Sequence, residues 1–227
     1  MCGRFTIISD PVAYQMEFDI QIDGQVLNDW KARYNVAPSQ AIPVVAQSET
    51  LVLKFMRWGL IPPWGKADNK KFQLINVRAE SILEKPYFRN LLQKQQRCFI
   101  LADGFYEWQA PGPGAKTKIP HYFRLKERKP FVFAGLWDSG EIREGTQENT
   151  CAIITCNPNP LVAPIHQRMP VILNAQTGQE WLGLTDLSHL LALLKPYPAE
   201  EMTSHEVSRL VNSPAADSPD CILPATS

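Results

Sequence analysis

A single α+β domain built on a mostly antiparallel, curved or barrel-like sheet with a few peripheral helices is the fold class this sequence predicts. Three observations predict it. Apolar runs of strand length recur along the chain, from residues 42–46 to 170–173. Helical periodicity is confined to short stretches. Proline is abundant, 19 of 227 residues against a norm of about 5%, so stiff loops punctuate the elements. At about 150 residues per domain this length allows one large domain or two small ones. It is long enough to bury a core without covalent staples. No internal repeat or low-complexity stretch divides it.

The elements follow in order. Asp10-Pro11 reads as an N-cap and a first helical residue, opening a helix to about Phe18. Residues 42–46 and 51–58 predict a hairpin around 47–50. Residues 58–65, Trp-Gly-Leu-Ile-Pro-Pro-Trp-Gly, suit neither helix nor regular ladder and predict a rigid aromatic loop. Residues 72–76 read as a short strand. Residues 86–93 begin with proline and carry Tyr87, Phe88, Leu91 and Leu92 at helical spacing. Residues 98–102 and 105–109 flank Asp103-Gly104, a hairpin-turn pair. A Pro/Gly-rich loop through Lys118 precedes strands at 121–125, 131–137 and 150–156. A proline-punctuated turn at 157–164 leads to a strand at 170–173, then helices at 176–182 and 187–194. A last strand is expected at 206–211. The domain is expected to span 1–212, with 213–227 a weakly ordered tail.

Composition narrows the function. Hydrophobic residues make up 44% and charged residues 20%, a globular profile. The net charge is 0 but unevenly spread. Residues 54–97 carry ten Lys/Arg against three acids, and residues 141–227 carry four against ten. One face is therefore suited to an anionic polymer. No apolar run reaches the roughly 18 residues of a membrane span, and no signal peptide is recognisable. A soluble cytoplasmic protein is expected. Five cysteines, none spaced C-x-x-C, argue against a disulfide framework or zinc site. Cys98 and Cys151 lie in apolar runs and are expected in the core. No metal or cofactor is expected.

Cys2 is the first chemical clue. Removal of Met1 would leave an α-amine and a thiol on one residue. Their ordinary pKa values, about 7.7–8.0 and about 8.5, keep a useful fraction of the amine neutral. A 1,2-aminothiol condenses with an aldehyde to a Schiff base, and the thiol then closes a five-membered thiazolidine.

Met-Cys-Gly-Arg-Phe at the start resembles the signature of the SRAP (SOS-response-associated peptidase) family. Further matching blocks keep order and spacing. They are Tyr34-Asn35-Val36-Ala37-Pro38, Trp58-Gly59-Leu60-Ile61-Pro62, Ile75-Asn76-Val77-Arg78-Ala79-Glu80, Ala102-Asp103-Gly104-Phe105-Tyr106-Glu107-Trp108, Ile153-Ile154-Thr155 and Ile165-His166-Gln167-Arg168-Met169-Pro170. His205-Glu206-Val207-Ser208 resembles the family's last strand, and the likeness covers roughly 1–212. The resemblance implies an α+β fold around a curved sheet with a basic DNA channel. It implies covalent shielding of abasic sites in single-stranded DNA through the N-terminal cysteine, by a monomer that joins the nucleoid when bound.

Carried over residue by residue, the resemblance makes Cys2 the nucleophile. It gives Asn76 the orientation of the Cys2 terminus, Glu107 acid/base chemistry and removal of Met1, and His166 the protons of the opened deoxyribose. A carboxyl and an imidazole move protons, and an amide holds geometry without competing for them. Arg4, Arg78 and Arg168 match phosphate-holding arginines, whose fork meets two oxygens. Lys85 stands where a further family arginine falls. Pro38, Trp64 and Trp108 match parts that stack on or wedge between bases, which reads no sequence. Thr155 aligns with a threonine near the reactive site. A cysteine peptidase using Cys2, His166 and Asn76 or Glu107, and a non-covalent single-strand binding module, remain as alternatives.

Overall fold

The computed structural model describes residues 2–46, 51–65, 73–112, 117–143 and 145–225. In chain order its first strands are β1 (Phe5–Ile7), β2 (Arg33–Val36), β3 (Ala41–Ala46), β4 (Leu53–Trp58), β5 (Asn76–Arg78) and β6 (Arg97–Ala102). Then come β7 (Gly104–Gln109), β8 (Ile119–Leu125), β9 (Phe131–Arg143), β10 (Thr146–Cys156), β11 (Met169–Pro170), β12 (Ile172–Leu173) and β13 (Met202–Glu206). The helices are α1 (Pro11–Phe18), α2 (Gly24–Asp29), α3 (Pro86–Gln93), α4 (Ala175–Gly183) and α5 (Leu187–Leu193).

Two sheets enclose one core. The smaller is antiparallel, in the order β13-β8-β7-β1-β2. In the larger, β10, β4, β3, β6 and β9 pair in sequence, and β9 pairs back onto β10, closing a five-stranded barrel. The closing contact of β10 with β4 is parallel, as is the pairing of β5 on β10. Where β9 and β10 diverge, β11 and β12 fill the gap, joined by Val171 to Ile154 and Ala134. Phe5, Trp58, Phe99, Phe105, Phe123 and Phe133 fill the interior, all fully buried. The α+β class with an antiparallel barrel-like sheet is as the sequence predicts. So are α1, capped by Asp10, and the β3–β4 pairing, whose expected turn at 47–50 lies outside the described residues.

Five expectations are corrected. Asp103-Gly104 is not a hairpin turn: β6 pairs with β3 and β9, while β7 pairs with β1 and β8 in the other sheet. Asp103 is instead a buried acceptor for the backbone N–H groups of Ile8 and Ser9 and the hydroxyls of Ser9 and Tyr14. The carboxylate thus ties the crossing between the sheets to the end of β1, 94 and 95 positions away in sequence. The strand expected at 72–76 forms at Asn76–Arg78, because β10 offers its free edge there, and Leu74 makes only an isolated bridge to Leu60. The last strand is Met202–Glu206, with a 3-10 turn at Arg209–Asn212 after it. The β9–β10 hairpin extends well past Trp137, through polar residues that β-propensity alone discounts.

The fifth correction concerns the tail. Residues 214–225 pack rather than dangle. Asp217 accepts from the backbone N–H of Tyr34 and Asn35 and from Arg33 Nε at 2.7 Å. Cys221 is fully buried. Asn35, also fully buried, donates to the carbonyls of Val211, Ser213 and Ala216 at 3.2, 2.9 and 2.6 Å. A polar segment stays ordered when a buried amide meets its backbone groups.

Arg97, 1% exposed on β6, serves the buried C-terminal carbonyls of two helices. It donates to Leu92 O at 3.2 Å, Trp181 O at 2.7 Å, Leu182 O at 3.1 Å and Leu184 O at 2.7 Å. Helix C-termini leave such carbonyls unpaired. Arg97→Met keeps much of the stem and strands several buried acceptors. We expect a loss of about 3–5 kcal/mol in urea unfolding, with little change in m.

Candidate active site at the junction of the two sheets

The site forms where the residues leading into β1 meet β5, β7 and the loop after β10. The register Phe5↔Phe105 brings the N-terminal segment along β7 toward Glu107, and Tyr106 N–H donates to Arg4 O at 3.0 Å. Cys2 is fully buried, with Sγ 3.8 Å from Arg4 O. Asn76 opens β5, fixed by pairing with Ile153 on β10, and its Nδ2 donates to Cys2 O at 2.9 Å. Its Oδ1 is buried without a hydrogen-bond partner among the described residues.

Glu107 on β7 is 2% exposed, and burial pushes its carboxyl up to about 7. His166 Nε2 stands 3.7 Å from Glu107 Oε2. The backbone N–H of Arg168 donates to His166 Nδ1 at 3.0 Å. Nδ1 also lies 3.1 Å from Arg168 O, so the Arg168 backbone fixes the ring with Nε2 turned toward Glu107. Burial holds the His166 imidazole below its usual range and the Cys2 thiol well above its own. The arrangement is thus a neutral thiol, a carboxyl that titrates near neutrality and an imidazole of fixed orientation. It suits proton shuttling better than a charged nucleophile pair.

Cys2, Asn76, Glu107 and His166 are brought together as the sequence suggests. The phosphate and base candidates divide. Arg78 and Lys85 are exposed, and Trp64 is 64% exposed with its ring edge-to-face on Tyr87 at 4.9 Å. Pro38 is partly exposed, in the turn between β2 and β3. Arg4 is committed internally: Nη1 donates to Asn35 Oδ1 at 2.8 Å and Val211 O at 2.6 Å, and Nη2 to Asn212 O at 3.3 Å. Trp108 donates to Asn212 Oδ1 at 2.7 Å and packs against the Tyr106–Tyr122–Val211 cluster. Thr155 is fully buried and accepts from Arg168 Nη2 at 3.3 Å. Arg168 forms a two-toothed ion pair with Glu80, at 2.7 and 2.8 Å, and donates to Thr155 O at 2.6 Å.

Sequence reasoning missed Glu80, Asn35 and Asn159. The first two sit inside quoted motif blocks, where a polar residue among buried neighbours was the available signal. Asn159 fixes the His166 loop by accepting from Leu161 and Val162 N–H at 3.1 and 3.0 Å and donating to Tyr197 O at 2.8 Å.

The SOS response associated peptidase (SRAP) family model matches residues 1–214. The abasic site processing protein YoqW of Bacillus subtilis (strain 168) is 44% identical over 227 residues, covering 98% of this chain and 99% of that protein. The abasic site processing protein HMCES of Gallus gallus is 33% identical over 225 residues, covering 86% of this chain and 67% of that one. A crystal structure of a protein from Bacteroides thetaiotaomicron superposes with a TM-score of 0.84 at 26% identity, covering 99% of this chain and 100% of that one. Through a match along nearly its whole length and a shared fold, the chain belongs to the SRAP family.

Proposed function

We propose that this protein captures abasic sites in single-stranded DNA as a covalent thiazolidine on Cys2, once Met1 is removed. The observation that carries the reading is the convergence of Cys2, Asn76, Glu107 and His166, with Asn76 on Cys2 O at 2.9 Å and His166 3.7 Å from Glu107. The Cys2 amine adds to C1 of the ring-opened sugar, and a proton from Glu107 expels water from the carbinolamine to leave the protonated imine. The thiol then adds to that carbon, and its proton returns to the Glu107 carboxylate. Asn76 holds the terminus through its Nδ2 on Cys2 O, and its Oδ1, buried and unpartnered among the described residues, accepts from the freed amine in this reading. His166 takes and returns the proton of the sugar hydroxyl during ring opening. The same Glu107 carboxyl serves the removal of Met1 and the reversal of the adduct.

The peptidase reading is less well supported. His166 Nε2 addresses Glu107, whereas the thiol is directed at Arg4 O and held neutral by burial. An activated cysteine needs the opposite surroundings. Arg78, Lys85 and Trp64 supply an exposed cationic and aromatic edge, suited to a flexible strand of any sequence. Pro38 wedges at the base step beside the lesion. We place the protein in the cytoplasm, monomeric and without cofactor, acting where DNA is single-stranded; no helix among the described residues is long and apolar enough to cross a membrane.

The test is a denaturing gel after incubation with abasic or intact oligonucleotide. A slower band with abasic DNA alone supports the reading, and its absence overturns it. Salt dependence separates the arginines. Arg78→Ala is expected to lower the slope of log K against log salt by about 0.7, and Lys85→Ala by a similar amount. Arg4→Ala is expected to leave the slope unchanged and to cost about 1–3 kcal/mol of stability, because it leaves Asn35 and two carbonyls short of a donor.

A further inference from the structure

Two titratable residues share the face of Glu107 and take no part in the chemistry above. The ladder sets Glu107 on β7 opposite His121 on β8, and His121 opposite Glu206 on β13. Directly opposed residues of antiparallel strands project from one face, with Cβ atoms about 4.5–5.5 Å apart. The three side chains therefore make a row, carboxyl–imidazole–carboxyl, across the sheet. Burial falls along it: Glu107 is 2% exposed, His121 is half-buried, and Glu206 is exposed on the edge strand. The adjacent row on that face is Phe105, Phe123 and Ser204, whose stacked rings belong to the core. Packing alone would extend that apolar row rather than set an imidazole between two acids.

His121 has a second unusual property. Its Nε2 is buried and has no hydrogen-bond partner among the described residues. Leaving a buried ring nitrogen unpaired costs stability, so its presence asks for a use.

We propose that His121 relays protons between Glu107 and Glu206, keeping the buried carboxyl in exchange with solvent when DNA covers the mouth of the site. The idea rests on the function proposed above and adds a route for its protons. When Glu107 has given its proton away, the neutral ring gains one at one nitrogen from Glu206 or water. It then loses one from the other nitrogen to the Glu107 carboxylate. One proton moves from solvent to Glu107, and no bond between heavy atoms changes. The ladder flanks His121 with Glu107 from β7 and Glu206 from β13, and the ring also feels the charges of Glu206 and His205. His205 pairs with Tyr122 and lies on the opposite face, where its Nε2 is 2.8 Å from Ile222 O. Burial and His205 lower the His121 pKa while Glu206 raises it. His121 acts through Glu107 and is a positioning residue, not one that touches substrate.

The experiment follows exchange of a preformed adduct with excess unlabelled abasic DNA, in dilute buffer, with and without added imidazole. His121→Phe should slow exchange about tenfold, short of the roughly 10²–10⁴-fold of a direct acid–base group. Imidazole should restore most of the rate, and Glu206→Gln should give a smaller loss of the same kind. Wild-type exchange in His121→Phe overturns the relay, as does a loss that imidazole leaves untouched. A second measurement needs no DNA. The ring protons of His121, followed by NMR against pH, should show one step lost in Glu107→Gln and another lost in Glu206→Gln. A ring blind to both carboxyls overturns the row even where the wild-type protein forms no adduct, an outcome that would instead remove the proposed function.

Discussion

Cys2→Ala is expected to abolish the denaturant-stable adduct with abasic DNA, while reversible binding of single strands changes by less than about twofold. The thiazolidine needs nitrogen and sulfur on one residue, and Cys98, Cys151, Cys156 and Cys221 have their nitrogens tied up in peptide bonds. Reversible binding is assigned to Arg78, Lys85 and Trp64, all of which are exposed. Cys2→Ser keeps the amine and should give a Schiff base that borohydride traps but that does not persist unreduced. Equal yields of stable adduct from wild type and Cys2→Ala, on the same gel, would refute the thiazolidine.

Glu107→Gln carries the second large effect, a slowing of adduct formation and of reversal by about 10²–10⁴-fold. Glutamine preserves size and hydrogen bonding but transfers no proton. In the wild type the acid form is needed to expel water, so the rate should fall as pH rises past about 7, where burial places this carboxyl. Stability carries the same signature. The folded pKa is raised from the ordinary 4.5 to about 7, so the stabilising effect is complete below about pH 4.5 and is lost as pH rises to about 7. Glu107→Gln should therefore melt higher than wild type at pH 8 and close to it at pH 4. Rates that match wild type across that range would leave Glu107 with a structural role only.

The site was legible because its residues lie in contiguous blocks: Cys2, Asn76, Glu107 and His166 each sit in a short motif with fixed neighbours. Their roles are those the family resemblance implies, and the residue types suit them. What a linear reading could not resolve was where each cation points. Arg4, Arg78 and Arg168 are equivalent as letters, yet Arg4 answers a buried asparagine and Arg168 answers Glu80, which leaves Arg78 facing solvent. The same limit explains Asp103-Gly104. Its turn propensity is real, but Ile8, Ser9 and Tyr14, distant in sequence, decide what the carboxylate does. The strand at Asn76–Arg78 is likewise set by its partner β10 and hardly at all by its own three residues.

The clasp of Asn35 and Arg4 on Val211 and its neighbours has a consequence for the order of events during synthesis. Arg4 and Val211 are 207 positions apart, and Asn35 and Ala216 are 181 apart. On the ribosome, the strand next to Cys2 stays without its outer clasp until residues 211–216 have been made. Contacts this distant form late and slowly. The segment that carries Cys2 is therefore open at its outer side through about 200 steps of synthesis, and the proposed site is closed from there only by residues far downstream.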